Sequence, residues 1–346
     1  MKITANQVTL LRIFLLPIPS GFLLFADDAV MWVAFVVGAL LGVTDFIDGY
    51  MARRDGPTIL GGLLDPVADK LFVACILLPL VSKGDFPWWV VACVFCRELL
   101  ITALRSSLAL RQEKLTTSNL AKVKTVAQMG GLGVFFFLAY TPRTVALSTN
   151  IALASVFTLV ALVLLVRGKS VPFWLKGAVP MWWVVNAAMV YLDPKSAGLV
   201  IFIVMAGLTV ASGVDYLLGA GRIFVQQGLR THDLTRVAWA LAHGVGSMWL
   251  IKHHPATVIP LMLSLSAELA YGGIDNILCA EKQTPPKGTF IVTTVLALLL
   301  LALTLTAYTK EHMGTLVVAA SVLAAVGWLN AARAFIAEWS FFKDAA

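Results

Sequence analysis

Four aspartates lie within apolar sequence near residue 50, in the stretch TDFIDGYMARRDGPTILGGLLDPVADK. They are Asp45, Asp48, Asp65 and Asp69. The first pair is spaced i, i+3 and the second i, i+4, so each pair lies on one face of a helix. A carboxylate at membrane depth costs roughly 2.5–3.5 kcal/mol, and bound cations would offset that cost. The four acids therefore predict a site for two divalent metal ions.

The residues around these acids suit phosphate chemistry. Carboxylate oxygens are the hard ligands that Mg²⁺ and Mn²⁺ prefer, and two such ions can neutralise a pyrophosphate and stabilise its leaving oxygen. Gly49 and Ala52 leave room beside the backbone, Arg53 can bind a phosphate through two hydrogen bonds, and Gly61 allows a close approach one turn before Asp65. The structural alternatives are solvated helix caps for the acids and helix packing for the small residues.

The composition indicates an integral membrane protein. Of the 346 residues, 59% are hydrophobic and 13% are charged, whereas soluble domains have about 25% charged residues. Recurrent apolar runs predict an all-α polytopic fold with about 10–12 transmembrane helices, preceded by an N-terminal interfacial helix over 3–14. Pro17 and Pro19 end this helix where the chain enters its first span. The later spans are predicted at 30–52, 60–82, 87–110, 119–140, 148–167, 176–192, 197–220, 235–252, 255–279, 288–309 and 314–338.

The distribution of basic residues predicts the orientation of the chain. Lysines and arginines gather in alternate loops, which is typical of a cytoplasmic face. With the N-terminus inside, the four aspartates lie toward the cytoplasmic side of the inner membrane. The net charge of +7 is explained by these loops, so no nucleic acid partner is expected.

A polar stretch over 221–234 predicts the boundary between two domains, 1–225 and a four-helix membrane unit over 230–346 whose role is unknown. The polar residues of the second unit include His243, Glu268, Asp275 and Glu281. They lack the spacing of metal ligands, so helix packing or interfacial capping is the favoured interpretation. A second polar site formed by Glu268 and Asp275 is the alternative.

The pattern D-x2-D-G-x2-A-R…G-x3-D-x3-D resembles the signature of the CDP-alcohol phosphotransferase family. The resemblance implies that a CDP-linked lipid binds through its pyrophosphate to two Mg²⁺ or Mn²⁺ ions, and that an acceptor hydroxyl attacks the β-phosphorus and expels CMP. It implies that Asp45, Asp48, Asp65 and Asp69 are metal ligands and that Asp69 is also the catalytic base. The nucleotide pocket that it implies is lined by Asp48, Gly49, Ala52, Arg53 and Gly61.

Further segments resemble the phosphatidylglycerophosphate synthases of that family, including NQVTLLRIFLLP at 6–17, CRELLITALR at 96–105 and AKVKTVAQ at 121–128. In the first of these, Asn6, Thr9 and Arg12 can position the interfacial helix or bind a lipid phosphate. The similarity covers about 1–225, with a helical hairpin inserted near 142–195. It implies CDP-diacylglycerol as donor, glycerol 3-phosphate as acceptor, a membrane lipid environment and a homodimer. The basic acceptor pocket that it implies contains Arg97, Arg105, Lys122 and Lys124. The alternatives are an ion pair of Arg97 with Glu98 and a contact of Lys122 with anionic lipid.

Two alternatives stay open at this point. Within the family, the acceptor can be phosphatidylglycerol (in cardiolipin synthesis), inositol phosphate, serine, or choline or ethanolamine. Outside it, a transporter or channel can use intramembrane acids as a cation path. Transporters place such sites near the midplane between repeated halves. Here the acids lie toward one face and the halves are dissimilar, which favours the enzyme.

Overall fold

The structure, a computed structural model, describes residues 4–25, 27, 30–56, 58–113, 119–308 and 313–344. These residues form mainly α-helices, and a short 3₁₀ turn lies at Pro255–Thr257. The helices are α1 (Ala5–Leu15), α2 (Pro17–Phe25), α3 (Met31–Asp55), α4 (Ile59–Lys83), α5 (Trp88–Ala109), α6 (Asn119–Tyr140), α7 (Arg143–Val166), α8 (Phe173–Tyr191), α9 (Pro194–Gln227), α10 (Thr231–His253), α11 (Val258–Glu281), α12 (Thr289–Tyr308), α13 (Met313–Ala337) and α14 (Trp339–Asp344).

The predicted all-α membrane class is confirmed. Seven helical segments of the described chain are long and apolar enough to cross a membrane, and α1 and α2 together make the first of them, over Ala5–Phe25. Helices α4, α5 and α10 contain 25, 22 and 23 residues and carry charged side chains, and they lie outside that set. The count of about 10–12 spans and the interfacial position of the first helix therefore stay predictions.

Local sequence signals set the ends of the helices that carry the acids. Thr4 and Gln7 form a capping box at the start of α1. Helix α3 ends at Gly56, whose φ of 99° is a conformation that glycine adopts without strain. Helix α4 begins after Thr58, whose hydroxyl accepts a hydrogen bond from the Gly61 amide at 2.9 Å. A short connection thus joins two helices of 25 residues each.

The chain forms two compact units, one made of Met1–Ser118 with Val210–Ala346 and the other of Asn119–Thr209. The C-terminal helices α10 and α11 thus share a unit with α3, α4 and α5. This division by contacts differs from the predicted domain limits of 1–225 and 230–346. Those limits rest on the polar stretch over 221–234 and on the family resemblance, and they stay a prediction.

Within the first unit, α10 and α11 approach α4 and α5 through glycines. A Cβ atom added to Gly244 of α10 would lie 2.6 Å from the Cys96 sulfur of α5, and one added to Gly272 of α11 would lie 2.7 Å from Thr102 of the same helix. Glycine is needed at both positions because a methyl group has no room there. The C-terminal helices therefore pack directly against the helices that carry the predicted site.

A buried ion pair joins α5 to the start of α10. The Arg111 guanidinium donates to both carboxylate oxygens of Asp233, at 3.0 and 2.6 Å, and to the Gly228 carbonyl at 2.7 Å. Burial alone would raise the pKa of Asp233, but its hydrogen bonds with Arg111 and the Arg230 amide hold that pKa below its ordinary value. This carboxylate is therefore ionised and holds the connection between α9 and α10 against α5.

The second unit contains α6, α7, α8 and the first part of α9. Its core is formed by Val134, Leu138, Ala146, Val185, Met189, Ala197 and Ile201. A Cβ atom added to Gly198 would lie 3.0 Å from the Cα atom of Phe135, so α6 and α9 also approach closely. The predicted hairpin near 142–195 coincides with α7 and α8, and its status as an insertion stays a prediction.

Candidate active site

The two acidic helices follow each other along the chain, and both pack against α1 and α2. Asp45 and Asp48 lie in the second half of α3, and Asp65 and Asp69 lie in the first half of α4. The carboxylates of Asp45 and Asp69 are nearly half exposed, at 44% and 45%, whereas that of Asp48 is 3% exposed. The acidic cluster therefore has an open side and a closed side.

Two side chains of α1 connect the four carboxylates. The Thr9 hydroxyl lies 2.9 Å from Asp48 Oδ2 and 3.1 Å from Asp65 Oδ1. Arg12 Nη1 donates to Asp45 Oδ1 at 2.7 Å and to Asp69 Oδ1 at 3.3 Å. Both side chains are buried. All four acids, from two helices, thus converge on one face of a third helix.

The charges of this cluster do not balance. Arg12 also has Nη2 at 3.5 Å from Asp48 Oδ2, so a single guanidinium faces three of the four acids. Ionised carboxylates in such number repel one another unless further positive charge is present. The hard oxygen donors, the surplus negative charge and the half-exposed Asp45 and Asp69 all fit divalent cations.

In this arrangement Arg12 Nη1 bridges Asp45 and Asp69. Among the described residues, three side chains whose possible metal-ligating atoms lie within 4.8 Å of one another occur outside the acidic cluster, at His232, Asp275 and Cys279. Because Arg12 Nη1 already donates to Asp45 and Asp69, a cation at the acidic cluster must compete with Arg12 for their carboxylate oxygens.

The residues predicted to line the nucleotide pocket lie on the same two helices. Arg53 is exposed at the end of α3, and Gly49 and Ala52 are half-buried. A Cβ atom added to Gly61 would lie 2.9 Å from the Asn6 amide oxygen, because α1 approaches the start of α4 at this point. The packing of α1 thus accounts for Gly61 without a ligand, and its nucleotide-binding role stays a prediction.

The four residues predicted to bind the acceptor have different environments. Arg97 is buried and donates to Glu98 Oε1 at 3.0 Å and to Ser212 Oγ at 3.1 Å, whereas Arg105, two turns further along α5, is exposed. Lys122 and Lys124 belong to α6 of the second unit, and their side chains lie outside the described residues. The structure therefore shows a free cationic surface at Arg105 and internal contacts at Arg97.

The sequence alone left the roles of Thr9 and Arg12 open between positioning α1 and binding a lipid phosphate. Their i, i+3 spacing places them on one face of α1, which is the available signal. Which partner that face meets depends on contacts with residues that are 33–57 positions away along the chain. Those contacts make α1 part of the site.

A second group of charged side chains was only partly predicted from the sequence, which indicated Glu268 and Asp275 but not Arg236. Arg236 of α10 lies 2.8 Å from Glu268 Oε1 and 3.4 Å from Asp275 Oδ2 of α11, and Trp239 donates to Glu268 Oε2 at 2.8 Å. The four side chains are all buried. Glu268 and Asp275 thus belong to an ionic cluster inside the helix bundle, as packing groups would, and they are not interfacial caps.

The described chain is an all-α membrane protein whose acidic cluster is shared by two helices, and the comparisons with known proteins give its class. The family model for CDP-alcohol phosphatidyltransferases matches residues 2–167. A probable phosphatidylglycerophosphate synthase of Mycobacterium tuberculosis is 34% identical over 160 residues, which cover 45% of this chain and 76% of that protein. The chain belongs to the CDP-alcohol phosphatidyltransferase family.

Two further relatives are named CDP-diacylglycerol–glycerol-3-phosphate 3-phosphatidyltransferase. The protein of Rickettsia bellii is 38% identical over 130 residues, which cover 37% of this chain and 72% of the relative. The protein of Bacillus subtilis is 38% identical over 137 residues, which cover 37% and 70%. No solved structure matches the chain.

Family membership confirms the predicted enzyme class. The protein is a transferase of phospholipid biosynthesis that is integral to the membrane, and it has CDP-alcohol phosphatidyltransferase activity. Dependence on divalent metal ions is general in the family. The alternative of a transporter or channel is set aside.

Proposed function

We propose that this protein transfers a phosphatidyl group from CDP-diacylglycerol to sn-glycerol 3-phosphate, giving phosphatidylglycerophosphate and CMP. The observation that carries the proposal is the convergence of four carboxylates on Thr9 and Arg12, within the residues that match the family. The names of the three relatives support this donor and this acceptor.

In this proposal Asp45, Asp48, Asp65 and Asp69 hold two divalent cations, Mg²⁺ or Mn²⁺. The bound ions would neutralise the pyrophosphate of the donor and stabilise the leaving CMP oxygen. Asp48 stands on the closed side, where the Thr9 hydroxyl orients its carboxylate. Asp45 and Asp69 stand on the open side, where ions and substrates can enter.

Asp69 is proposed as the base that receives the proton of the acceptor hydroxyl. Its side chain is 45% exposed, so an acceptor can reach it, whereas Asp48 is enclosed. The new bond joins the acceptor oxygen to the β-phosphorus, the bond between that phosphorus and the CMP oxygen breaks, and the proton goes to the Asp69 carboxylate. Positioning and charge neutralisation supply most of the rate in such a transfer.

The binding of donor and acceptor is proposed at the edges of the cluster. Gly49, Ala52 and the exposed Arg53 contact the nucleotide, and Arg53 binds a phosphate of the donor. The nucleotide-binding roles of the enclosed Asp48 and of Gly61, which packs against Asn6, stay predictions. Arg105 of the first unit binds the phosphate of glycerol 3-phosphate, and the acceptor roles of Lys122 and Lys124 of the second unit stay predictions. Arg97 contributes mainly by holding Glu98 and Ser212 in place, since it already makes both contacts.

The site is proposed to face the cytoplasm from the inner membrane, because the basic loops lie on the same side as the aspartates. A homodimer is expected from the family resemblance alone. Cross-linking in native membranes tests the dimer without affecting the proposal for the reaction.

A side-by-side acceptor assay tests the proposed reaction. Purified protein in detergent is supplied with CDP-diacylglycerol, Mn²⁺ or Mg²⁺, and one acceptor at a time: glycerol 3-phosphate, phosphatidylglycerol, inositol phosphate, serine, choline or ethanolamine. We expect CMP release and a new lipid with glycerol 3-phosphate, and loss of both when the metal is chelated.

The outcomes separate the parts of the proposal. Faster CMP release with another acceptor would overturn the assignment of glycerol 3-phosphate and leave the donor in place. Release that persists in EDTA would overturn the metal site. No CMP release with any acceptor, from protein that is folded by its thermal transition, would overturn the donor.

A further inference from the structure

Three side chains with metal-binding atoms meet where α10 begins and α11 ends. His232 is the second residue of α10, and Asp275 and Cys279 are spaced i, i+4 on α11, so they share one face of that helix. Their ligand atoms all lie within 4.8 Å of one another. The side chain of His232 is 12% exposed, and Asp275 and Cys279 are fully buried.

The distances fit a tetrahedral ion. Asp275 Oδ1 lies 3.5 Å from His232 Nε2 and 3.5 Å from Cys279 Sγ. Bonds of about 2.0–2.3 Å from zinc to nitrogen, oxygen and sulfur place tetrahedral ligands roughly 3.3–3.8 Å apart. The two distances from Asp275 Oδ1 therefore already match the separation of ligand atoms around a shared zinc ion.

The polar atoms of the group are only partly satisfied: Cys279 Sγ donates to Asp275 Oδ1, and three other atoms make no hydrogen bond with the residues that the structure describes. Among the described residues, neither ring nitrogen of His232 has a hydrogen-bond partner, and neither has Asp275 Oδ2. Buried polar groups are paired in the great majority of cases, so each exception needs an explanation. Asp275 Oδ2 faces Arg236 Nε at 3.4 Å, which orients the carboxylate with Oδ1 toward His232 and Cys279.

The charges around this group leave room for a cation. Arg236 supplies one positive charge, and Glu268 and Asp275 supply two negative charges, all in buried positions. A divalent ion with the thiolate of Cys279 restores neutrality. A protonated His232 would also restore it, and this is the competing explanation.

We propose that His232, Asp275 and Cys279 bind one zinc ion, with water in the fourth position on the side where His232 is exposed. A nitrogen, oxygen and sulfur donor set suits Zn²⁺, whereas the all-carboxylate cluster of α3 and α4 suits Mg²⁺ or Mn²⁺. The ion ties α10 to α11, and through the close contacts at Gly244 and Gly272 it steadies the packing on α5.

The metal content of purified full-length protein tests this site. After dialysis against a weak chelator, we expect one zinc per chain in the wild type and at least about tenfold less in Cys279→Ser and in His232→Asn. Cys93→Ser is the matched control, because Cys93 is an exposed cysteine of the same unit. Asp45→Asn separates the two metal sites and should keep its zinc.

Cobalt gives a second measurement that needs no variant. Co²⁺ added to the zinc-depleted wild type should produce a thiolate-to-cobalt charge-transfer band and the intense visible bands of tetrahedral coordination. Zinc content in the wild type no higher than in Cys279→Ser, or a cobalt spectrum without the thiolate band, would overturn the proposal in favour of a protonated His232 paired with Asp275. Neither result bears on phosphatidyl transfer.

Discussion

The acidic cluster of α3 and α4 and the ionic cluster of α10 and α11 use the same kinds of side chain in opposite ways. In the acidic cluster, one buried arginine faces three of the four carboxylates, and two of these acids are nearly half exposed. In the ionic cluster, Arg236 faces Glu268 and Asp275, and all three are buried. Exposure and surplus charge suit a site that exchanges ligands, whereas enclosure and near-neutrality suit a site that holds helices together.

Charged side chains inside this membrane protein are thus expected to serve either the reaction, in the open cluster, or the stability of the fold, in the enclosed cluster. Removing a charge from the open cluster should change the reaction more than the fold. Removing one from the enclosed cluster leaves another charge buried without its partner, so the fold should suffer first. Four substitutions test this contrast, in order of decreasing expected effect.

The largest effect is expected for Asp69→Asn. The substitution removes the proposed base and a metal ligand but relieves repulsion among the acids, so the rate of CMP release should fall by about 10²–10⁴-fold with little change in the thermal transition. Asp193→Asn, in the exposed connection before α9, is the control and should keep its activity. Near-normal turnover of Asp69→Asn would remove the base assignment.

Arg236→Met tests the enclosed cluster. Glu268 and Asp275 then lose their guanidinium, and the free energy of unfolding should fall by about 3–5 kcal/mol, measured by thermal or denaturant unfolding in detergent. Lys282→Met is the control, because Lys282 pairs with Glu338 where both side chains are 34% exposed, and it should cost about 0–1 kcal/mol. Equal effects of the two variants would contradict the contrast between the clusters.

Gly244→Ala tests whether the C-terminal helices support α5. The new methyl group would lie 2.6 Å from the Cys96 sulfur and 3.0 Å from the Cys96 amide nitrogen, so overpacking should lower stability by about 1–3 kcal/mol. Gly219→Ala is the matched control in a helix with open space around it, and its higher helix propensity should leave stability unchanged or slightly raised. A stable Gly244→Ala variant would show that α10 and α5 can separate without loss.

The smallest effect is expected for Arg105→Ala. Loss of one exposed cation should raise the KM for glycerol 3-phosphate by about tenfold, which is near the lower end of the contribution of one charge-assisted hydrogen bond, and leave the KM for CDP-diacylglycerol nearly unchanged. Arg222→Ala, another exposed arginine, is the control for a general effect of charge. An unchanged KM for the acceptor would move the acceptor pocket away from Arg105.

Much of the fold could be predicted from the sequence. Predicted spans at 60–82 and 87–110 agree with α4 and α5 within a residue, because an apolar run ends where turn residues such as Gly56 and Gly84 begin. The pairing of the acids also follows from local spacing, since i, i+3 and i, i+4 residues share a helix face whatever the tertiary structure.

The side chains that each helix face contacts on other helices could not be predicted from local spacing. Arg97 was predicted either to bind the acceptor or to pair with Glu98; the structure shows the pair with Glu98 and adds a contact with Ser212, 115 positions away, that the sequence did not indicate. The trio of His232, Asp275 and Cys279 lacks a recognisable motif because its members come from two helices. Spacing along a chain carries no information about which helix lies opposite.

By itself the sequence determined the helices, the membrane environment and the two acidic faces, because hydrophobic runs and helical periodicity act over a few residues. Only the tertiary structure decided that α1 meets the acids through Thr9 and Arg12, and that α10 and α11 pack on α4 and α5. The physical reason is that contacts between helices depend on complementary surfaces, such as the cleft that Gly244 leaves for Cys96, and these surfaces exist only once the helices have packed.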